Sequence, residues 1–152
     1  MRQKVLETLG YIINAGSIAS FFFLAGVLET SSVPLAITII TWLFFGFGIL
    51  LVMLSTITLM RNQGAGLIEG GVFGIVRHPM YVGAMLLFLS WIGLVPHWII
   101  ALISIVNIVI VYAYMLQGER FNLAKFGDAY ARYMERVPRL DLLTGSIRVL
   151  RR

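Results

Sequence analysis

Three long stretches of this chain contain no Asp, Glu, Lys or Arg. They lie between Glu7 and Glu29, between Glu29 and Arg61, and between Arg77 and Glu119. A helix that crosses the hydrocarbon core of a bilayer needs about 20 apolar residues, and each stretch is long enough for at least one such helix. Over the whole chain 59% of residues are hydrophobic and 12% are charged, about half of the charged share of a soluble domain. The sequence therefore predicts an integral membrane protein.

Four membrane-spanning helices are predicted from these stretches. The third stretch is too long for one span, and Pro96 near its middle removes a backbone donor and predicts a turn. Trp91 and Trp98 flank that turn, and tryptophan is enriched at the membrane–water interface. The last two spans are therefore expected to form a helical hairpin. The spans are predicted at residues 11–28, 35–60, 80–95 and 98–116.

The basic residues orient this arrangement. All twelve Lys and Arg residues lie before residue 5, in the loop of residues 61–79 or in the tail of residues 117–152. The loops near Glu29 and Pro96 contain none. Because loops rich in Lys and Arg stay in the cytoplasm, both termini are predicted to be cytoplasmic. We expect a single all-α domain, residues 1–152, in a multi-pass membrane protein.

The tail has an amphipathic pattern. Its apolar side chains recur at intervals of three and four residues, which places them on one face of a helix. Basic residues occupy other positions, so we predict an interfacial helix that lies on the membrane and contacts anionic lipid. This placement of the positive charge favours a membrane surface, and not nucleic acid, as the partner. The apolar positions are Leu123, Phe126, Tyr130, Tyr133 and Val137.

Several kinds of site are excluded by composition. Cysteine is absent, so disulfides, thiolate metal sites and Cys nucleophiles are excluded. The two histidines, His78 and His97, and the seven acidic residues show no metal-ligand spacing, so no metal is expected. The loop of residues 61–79 contains five glycines, but it lacks the Gly-Lys-Ser/Thr ending of a phosphate loop and follows a membrane helix. Without further context this loop is a structural linker.

Two elements on the predicted cytoplasmic side resemble the motifs of known membrane enzymes. Residues 71–83, GVFGIVRHPMYVG, resemble the Gly-Pro-Tyr…Arg-His-Pro-x-Tyr-x-Gly signature of isoprenylcysteine carboxyl methyltransferases and phospholipid methyltransferases. Downstream residues are similar to the Glu-Glu…Phe-Gly-x-x-Tyr-x-x-Tyr…Val-Pro-Arg element of that family, and both elements lie within residues 67–139. These downstream residues are Glu119, Phe126, Gly127, Tyr130, Tyr133, Val137, Pro138 and Arg139.

The resemblance implies a small membrane methyltransferase that uses S-adenosylmethionine as its cofactor. The cofactor would bind between the cytoplasmic ends of the last helices and the segment that follows them. Glu119 suits the ammonium group or the ribose hydroxyls, Arg77 or His78 suits the carboxylate, and Gly83 permits close packing. By the resemblance, the cofactor contacts are His78, Tyr81, Gly83 and Glu119, and Arg77 joins them on chemical grounds.

The predicted acceptor is lipophilic, either an isoprenylcysteine-like carboxylate or a phospholipid amine that enters from the bilayer. Tyr133 and Arg139 are the candidate catalytic residues on the substrate side. Membrane lipid is the other expected partner. The residues also have structural interpretations: Arg77 as an interfacial anchor, His78 as a partner of the helix start, and Tyr81 as an aromatic at the membrane boundary.

The sequence departs from the family pattern at three positions. Gly118 stands where the family has the first Glu of its pair, and Val72 and Phe73 replace the proline and tyrosine. Loss of one carboxylate predicts different contacts with the cofactor, weaker binding or a different range of substrates. Gly118 leaves a non-catalytic membrane homologue as one alternative. The other is an NADPH-dependent membrane reductase of related fold, because membrane sterol reductases are similar at the carboxyl end.

Overall fold

A computed structural model describes the protein over residues 16–30, 32–64 and 66–150. These residues form helices and the connections between them, so the all-α prediction is confirmed for this part of the chain. One turn of 3₁₀ helix, Gly71–Gly74, lies in the loop before α3. The α-helices are α1 (Gly16–Val27), α2 (Leu35–Arg61), α3 (Pro79–Leu94), α4 (Trp98–Phe126), α5 (Asp128–Arg136) and α6 (Leu142–Leu150).

Two of these helices, α2 and α4, are long and apolar enough to cross a membrane. The helices α1 and α3 are apolar but shorter. The bounds of α2 and α3 agree closely with the predicted spans, whereas residues 11–15 of the first predicted span lie outside the described residues. The fourth span was expected to end at residue 116, but α4 continues to Phe126. The charged residues beyond 116 still favour helix, and only the apolar character ends there.

Glycine allows α2 and α3 to pack with their backbones in close approach. A Cβ atom on Gly83 would lie 2.7 Å from the carbonyl oxygen of Gly48 and 2.8 Å from Cγ2 of Val52. Nearer the other end, a Cβ atom on Gly93 would overlap the side chain of Thr41. Gly83, early in α3, lies near Gly48, whereas Gly93, late in α3, lies near the earlier Thr41 of α2. The two helices are therefore antiparallel. Small residues at such crossings are typical of helix pairs in membranes.

An aromatic cluster joins α1 to α3. The rings of Phe21 and Trp91 stack with their centroids 5.0 Å apart, and Phe88 lies beside them. A polar contact ties α1 to α4 as well, because Nδ2 of Asn107 donates to Oγ of Ser17 at 2.9 Å. Helices α1, α3 and α4 therefore share one packed core, and α2 packs against α3.

The tail does not form the single interfacial helix that its spacing predicted. Gly127 has φ +52°, a backbone conformation that glycine adopts readily, and the chain turns there between α4 and α5. Tyr130, Tyr133 and Val137 are buried against Leu67 and neighbouring side chains of the protein. The prediction of one continuous helix with these side chains on lipid was wrong, because periodicity shows which face is apolar but not whether lipid or protein covers it. That the tail lies at a membrane surface stays a prediction.

Candidate functional site

The loop after α2 and the end of α4 bring the predicted site residues together. His78 immediately precedes α3, whose first residue is Pro79, a residue suited to a helix start. Glu119 lies on the buried face of α4, and Arg139 lies in the connection between α5 and α6. A backbone hydrogen bond from Arg77 N to Pro138 O, 3.0 Å long, joins the loop to this connection.

Glu119 is the centre of this cluster. Its Oε1 lies 2.9 Å from Nη1 of Arg77, 3.1 Å from Nε2 of His78 and 3.1 Å from Nε of Arg139. Its Oε2 lies 2.7 Å from Nη2 of Arg139. The side chains of Glu119 and Arg77 are each only 8% exposed. A carboxylate this far from water requires such partners, because an unpaired buried charge is strongly unfavourable.

The cluster carries excess positive charge. Burial lowers the pKa of His78 below its ordinary value of 6.5, although the contact with Glu119 acts in the opposite direction. The neutral ring then donates from Nε2 to the carboxylate, which can only accept. Arg77 and Arg139 together contribute two positive charges against the single negative charge of Glu119. The arrangement therefore suits an additional anionic group.

Arg77 retains unused donors. Its Nε and Nη1 are buried and have no hydrogen-bond partner. Nη1 is close enough to Glu119 for an ion pair but is not aligned for a hydrogen bond with it. A buried donor without a partner costs about 1–3 kcal/mol, so a ligand oxygen at this position would stabilise the protein.

A polar cavity of about 330 Å³ lies beside the cluster. Its walls combine a guanidinium, an imidazole and an amide with several aromatic rings. Glu119 and Arg139 are not on its wall, so they act through Arg77 and His78. Gly83 lies at the contact between α2 and α3 and not in the cavity. The lining residues that matter here are Arg77, His78, Tyr81, Asn122, Phe126, Tyr130 and Tyr133.

Tyr133 connects α5 to the loop. Its hydroxyl donates to the carbonyl oxygen of Phe73 at 2.6 Å. Burial strongly raises the pKa of Tyr133, so its proton stays on the hydroxyl at neutral pH. This geometry gives Tyr133 a positioning role, while its predicted catalytic role stays a prediction.

A second, apolar cavity of about 330 Å³ lies between the four apolar helices. It is lined by side chains of all four, including Phe22, Ile49 and Trp91. Met80 and Tyr81 line this apolar cavity and the polar cavity as well. The two cavities are therefore adjacent at the start of α3, where they share these two lining residues. Met80, Asn122 and Phe126 were not among the predicted site residues. Phe126 belongs to the downstream motif, but the packing that brings these three side chains to the cavity is evident only in the structure.

Comparison of the chain with family models, with curated proteins and with solved structures gave no match.

Proposed function

We propose that the protein is an integral membrane enzyme that transfers a methyl group from S-adenosylmethionine to a lipophilic acceptor. The observation that carries this proposal is the meeting of Arg77, His78, Glu119 and Arg139, from two distant sequence elements, beside the polar cavity. Those two elements are the ones that resemble the family of small membrane methyltransferases.

In this proposal α1 to α4 are the four spans, with both termini in the cytoplasm. The polar cavity then lies at the cytoplasmic face, where Arg61, Arg77 and the basic tail are also found. The positive-inside rule supports this orientation. A water-soluble cofactor would reach the cavity from the cytoplasm.

The residues of the polar cavity fit the cofactor. The unused Nε and Nη1 donors of Arg77 suit its carboxylate, since paired contacts of this kind are among the strongest in proteins. Phe126 and Tyr130 offer rings for the nucleobase, and Asn122 offers an amide. When bound, the cofactor would supply an electrophilic methyl group on a sulfonium sulfur. Both oxygens of Glu119 are already engaged, so its role is to hold Arg77 and His78 and not to contact the cofactor.

The apolar cavity supports a lipophilic acceptor. A prenyl or acyl chain between the four helices would place its polar end at Met80 and Tyr81, next to the polar cavity. Alignment of acceptor and methyl group, with water excluded, is the main contribution an enzyme makes to such a displacement. A carboxylate acceptor needs no general base, whereas an amine must first lose a proton, so we expect the carboxylate to be the better acceptor.

The test is methyl transfer by the purified protein in nanodiscs. Cofactor with a radiolabelled methyl group is incubated with a farnesylcysteine analogue or with phosphatidylethanolamine, and the label in the organic phase is counted. We expect labelled product, more from the carboxylate than from the amine, and little product from Glu119→Gln. Absence of product from both acceptors, together with thermal protection by NADPH and not by S-adenosylmethionine, would support the reductase alternative.

A further inference from the structure

The helix α6 was not predicted from the sequence, and it packs closely against the loop that carries Arg77. Asp141 precedes α6 and accepts from Thr144 N at 3.0 Å, which satisfies a free backbone donor of the first turn. A Cβ atom on Gly145 would overlap the backbone carbonyl of Ile75, so the helix and the loop are in direct backbone contact. The position of α6 is therefore linked to the position of Arg77.

The opposite side of α6 is apolar and exposed. Leu140, Leu143 and Ile147, spaced by three and four residues, are 37%, 79% and 49% exposed. We call these three residues the α6 stripe. Leu143 and Ile147, four residues apart, share one face of α6, and Leu140 lies in the connection just before the helix. An exposed apolar face on an amphipathic helix is typical of contact with a partner or a membrane.

The position of α6 along the axes of the helical bundle indicates whether a membrane or a protein covers this face. Leu142 packs on the cluster of Leu51, Val76 and Val82, so α6 lies where α3 begins. Glu119, near the predicted end of the fourth span, contacts residues of the same level. In the four-span arrangement this level is the boundary between the hydrocarbon core and the cytoplasm.

We propose that the α6 stripe inserts into the cytoplasmic leaflet of an anionic bilayer, and that α6, held there, fixes the loop before Arg77. Arg148 lies beside the stripe, and the sequence adds Arg151 and Arg152 just beyond it. An apolar face flanked by arginines complements a surface of anionic lipid. The proposal rests on the membrane arrangement of the proposed function, but not on methyl transfer.

Two contacts transmit the position of α6 to the site. The first is the backbone contact of Gly145 with Ile75, two residues before Arg77. The second is the donation from Arg148 Nη1 to the backbone carbonyl of Arg136 at 3.1 Å, which ties α6 to the end of α5. Lipid that holds α6 would thereby restrict the loop, whereas release of α6 would free it.

The absence of cysteine from the chain allows a direct test of insertion. Leu143→Cys and Ile147→Cys are labelled with an environment-sensitive fluorophore in nanodiscs whose acyl chains are brominated. Asp128→Cys is the matched control, since Asp128 is exposed at the start of α5 and α4 continues for about two helical turns from Glu119 before the chain turns there. We expect roughly threefold stronger quenching at both stripe positions than at the control, and weaker quenching when phosphatidylcholine replaces phosphatidylglycerol.

Equal quenching at Leu143 and Asp128 would overturn the proposal. So would a blue-shifted but unquenched stripe probe, which would mean that a second copy of the chain covers the stripe. Equal quenching in phosphatidylcholine and in phosphatidylglycerol would overturn the proposed attraction between the arginines and anionic lipid. Neither readout depends on the cofactor, so failure here is distinct from failure of the proposed function.

Whether α6 holds the loop before Arg77 in place is tested separately by hydrogen exchange at residues 70–78 in anionic nanodiscs. Gly145→Ala should displace α6 and speed exchange there by roughly tenfold, because the loop loses its packed neighbour. Gly46→Ala, where a Cβ atom meets nothing within 4 Å, is the control. Unchanged exchange in a folded Gly145→Ala protein would overturn the coupling.

Discussion

Arg139 contacts both carboxylate oxygens of Glu119, with Nε 3.1 Å from Oε1 and Nη2 2.7 Å from Oε2. Contacts of this paired kind fix orientation as well as distance. Since Glu119 belongs to α4 and Arg139 to the connection before α6, the pair holds the tail against the helical bundle. The same carboxylate orients Arg77 and His78 toward the polar cavity.

The paired geometry predicts that Arg139→Lys is not a conservative change. An ammonium group is a point charge and cannot reach both oxygens as a guanidinium does. Because the Arg139 side chain is 38% exposed, we expect a loss of only about 1 kcal/mol of stability. Thermal unfolding in detergent measures this loss. Arg136→Lys is the control, since the contacts of its side chain with Glu69 and with the carbonyl oxygen of Arg132 lie at the surface and its replacement should change little.

Replacement of Glu119 by glutamine is expected to destabilise the protein much more. It leaves two guanidinium groups without their counter-ion, and removal of one member of a buried ion pair costs about 3–5 kcal/mol. Denaturant titration should show this loss. The matched control is Glu69→Gln, whose carboxylate is 35% exposed and whose loss should cost about 0–1 kcal/mol. Similar losses in the two variants would contradict the central position given to Glu119.

The buried imidazole of His78 predicts a loss of stability in mild acid. Above pH 6.5 the ring is neutral in both the folded and the unfolded chain. Below that pH the unfolded chain binds the proton first, because burial lowers the pKa of His78 in the folded protein. The free energy of unfolding therefore decreases as the pH falls below 6.5, until the folded-state pKa is passed.

Thermal unfolding of wild type and His78→Asn across this pH range measures the effect. The variant should lack the part of the pH dependence that His78 contributes. Parallel curves for the two proteins would show that the ring does not change its protonation on unfolding.

The contact between α2 and α3 predicts a packing role for Gly83. Gly83→Ala would force a methyl group against Gly48 O and Val52, and overpacking of this kind costs about 1–3 kcal/mol. The unfolding midpoint should fall, while the cofactor affinity of the folded fraction should stay unchanged. Gly46→Ala is the control, because its Cβ atom would meet open space. A specific loss of affinity in Gly83→Ala would instead favour the cofactor contact that the sequence resemblance implied.

The bond between Tyr133 and the loop predicts a moderate effect of its removal. Tyr133→Phe leaves the carbonyl of Phe73 without its donor, which costs roughly 1 kcal/mol. We expect faster hydrogen exchange around Phe73 and weaker cofactor binding. Cofactor affinity that is unchanged while methyl transfer is lost would instead favour the catalytic role predicted for Tyr133.

Helix positions were accessible from the sequence where composition changes sharply. Charged residues or proline delimit α2 and α3, and the predicted bounds agree with the structure there. The end of α4 was missed because hydropathy marks the end of an apolar segment and not the end of a helix. The signal that ends α4 is Gly127, whose positive φ becomes evident only in the structure.

Part of the site was predicted from the two sequence motifs. Arg77, His78 and Glu119 were selected together from the motifs, and the structure brings them into contact. The cofactor contact predicted for Gly83 stays a prediction. Its packing against Gly48 could not be predicted, because Gly48 is distant in the chain and nothing local indicates that pair. Periodicity likewise could not show that Tyr130 faces protein.

The most direct test of the account is isothermal titration of S-adenosylmethionine, and of its demethylated product, into wild type, Glu69→Gln and Glu119→Gln. A thermal melt of each variant confirms that the titrated protein is folded. We expect binding to wild type and to Glu69→Gln, and weak or no binding to Glu119→Gln because Arg77 and His78 lose their common partner. Absence of binding to folded wild type at millimolar cofactor, or equal binding by all three proteins, would contradict this expectation.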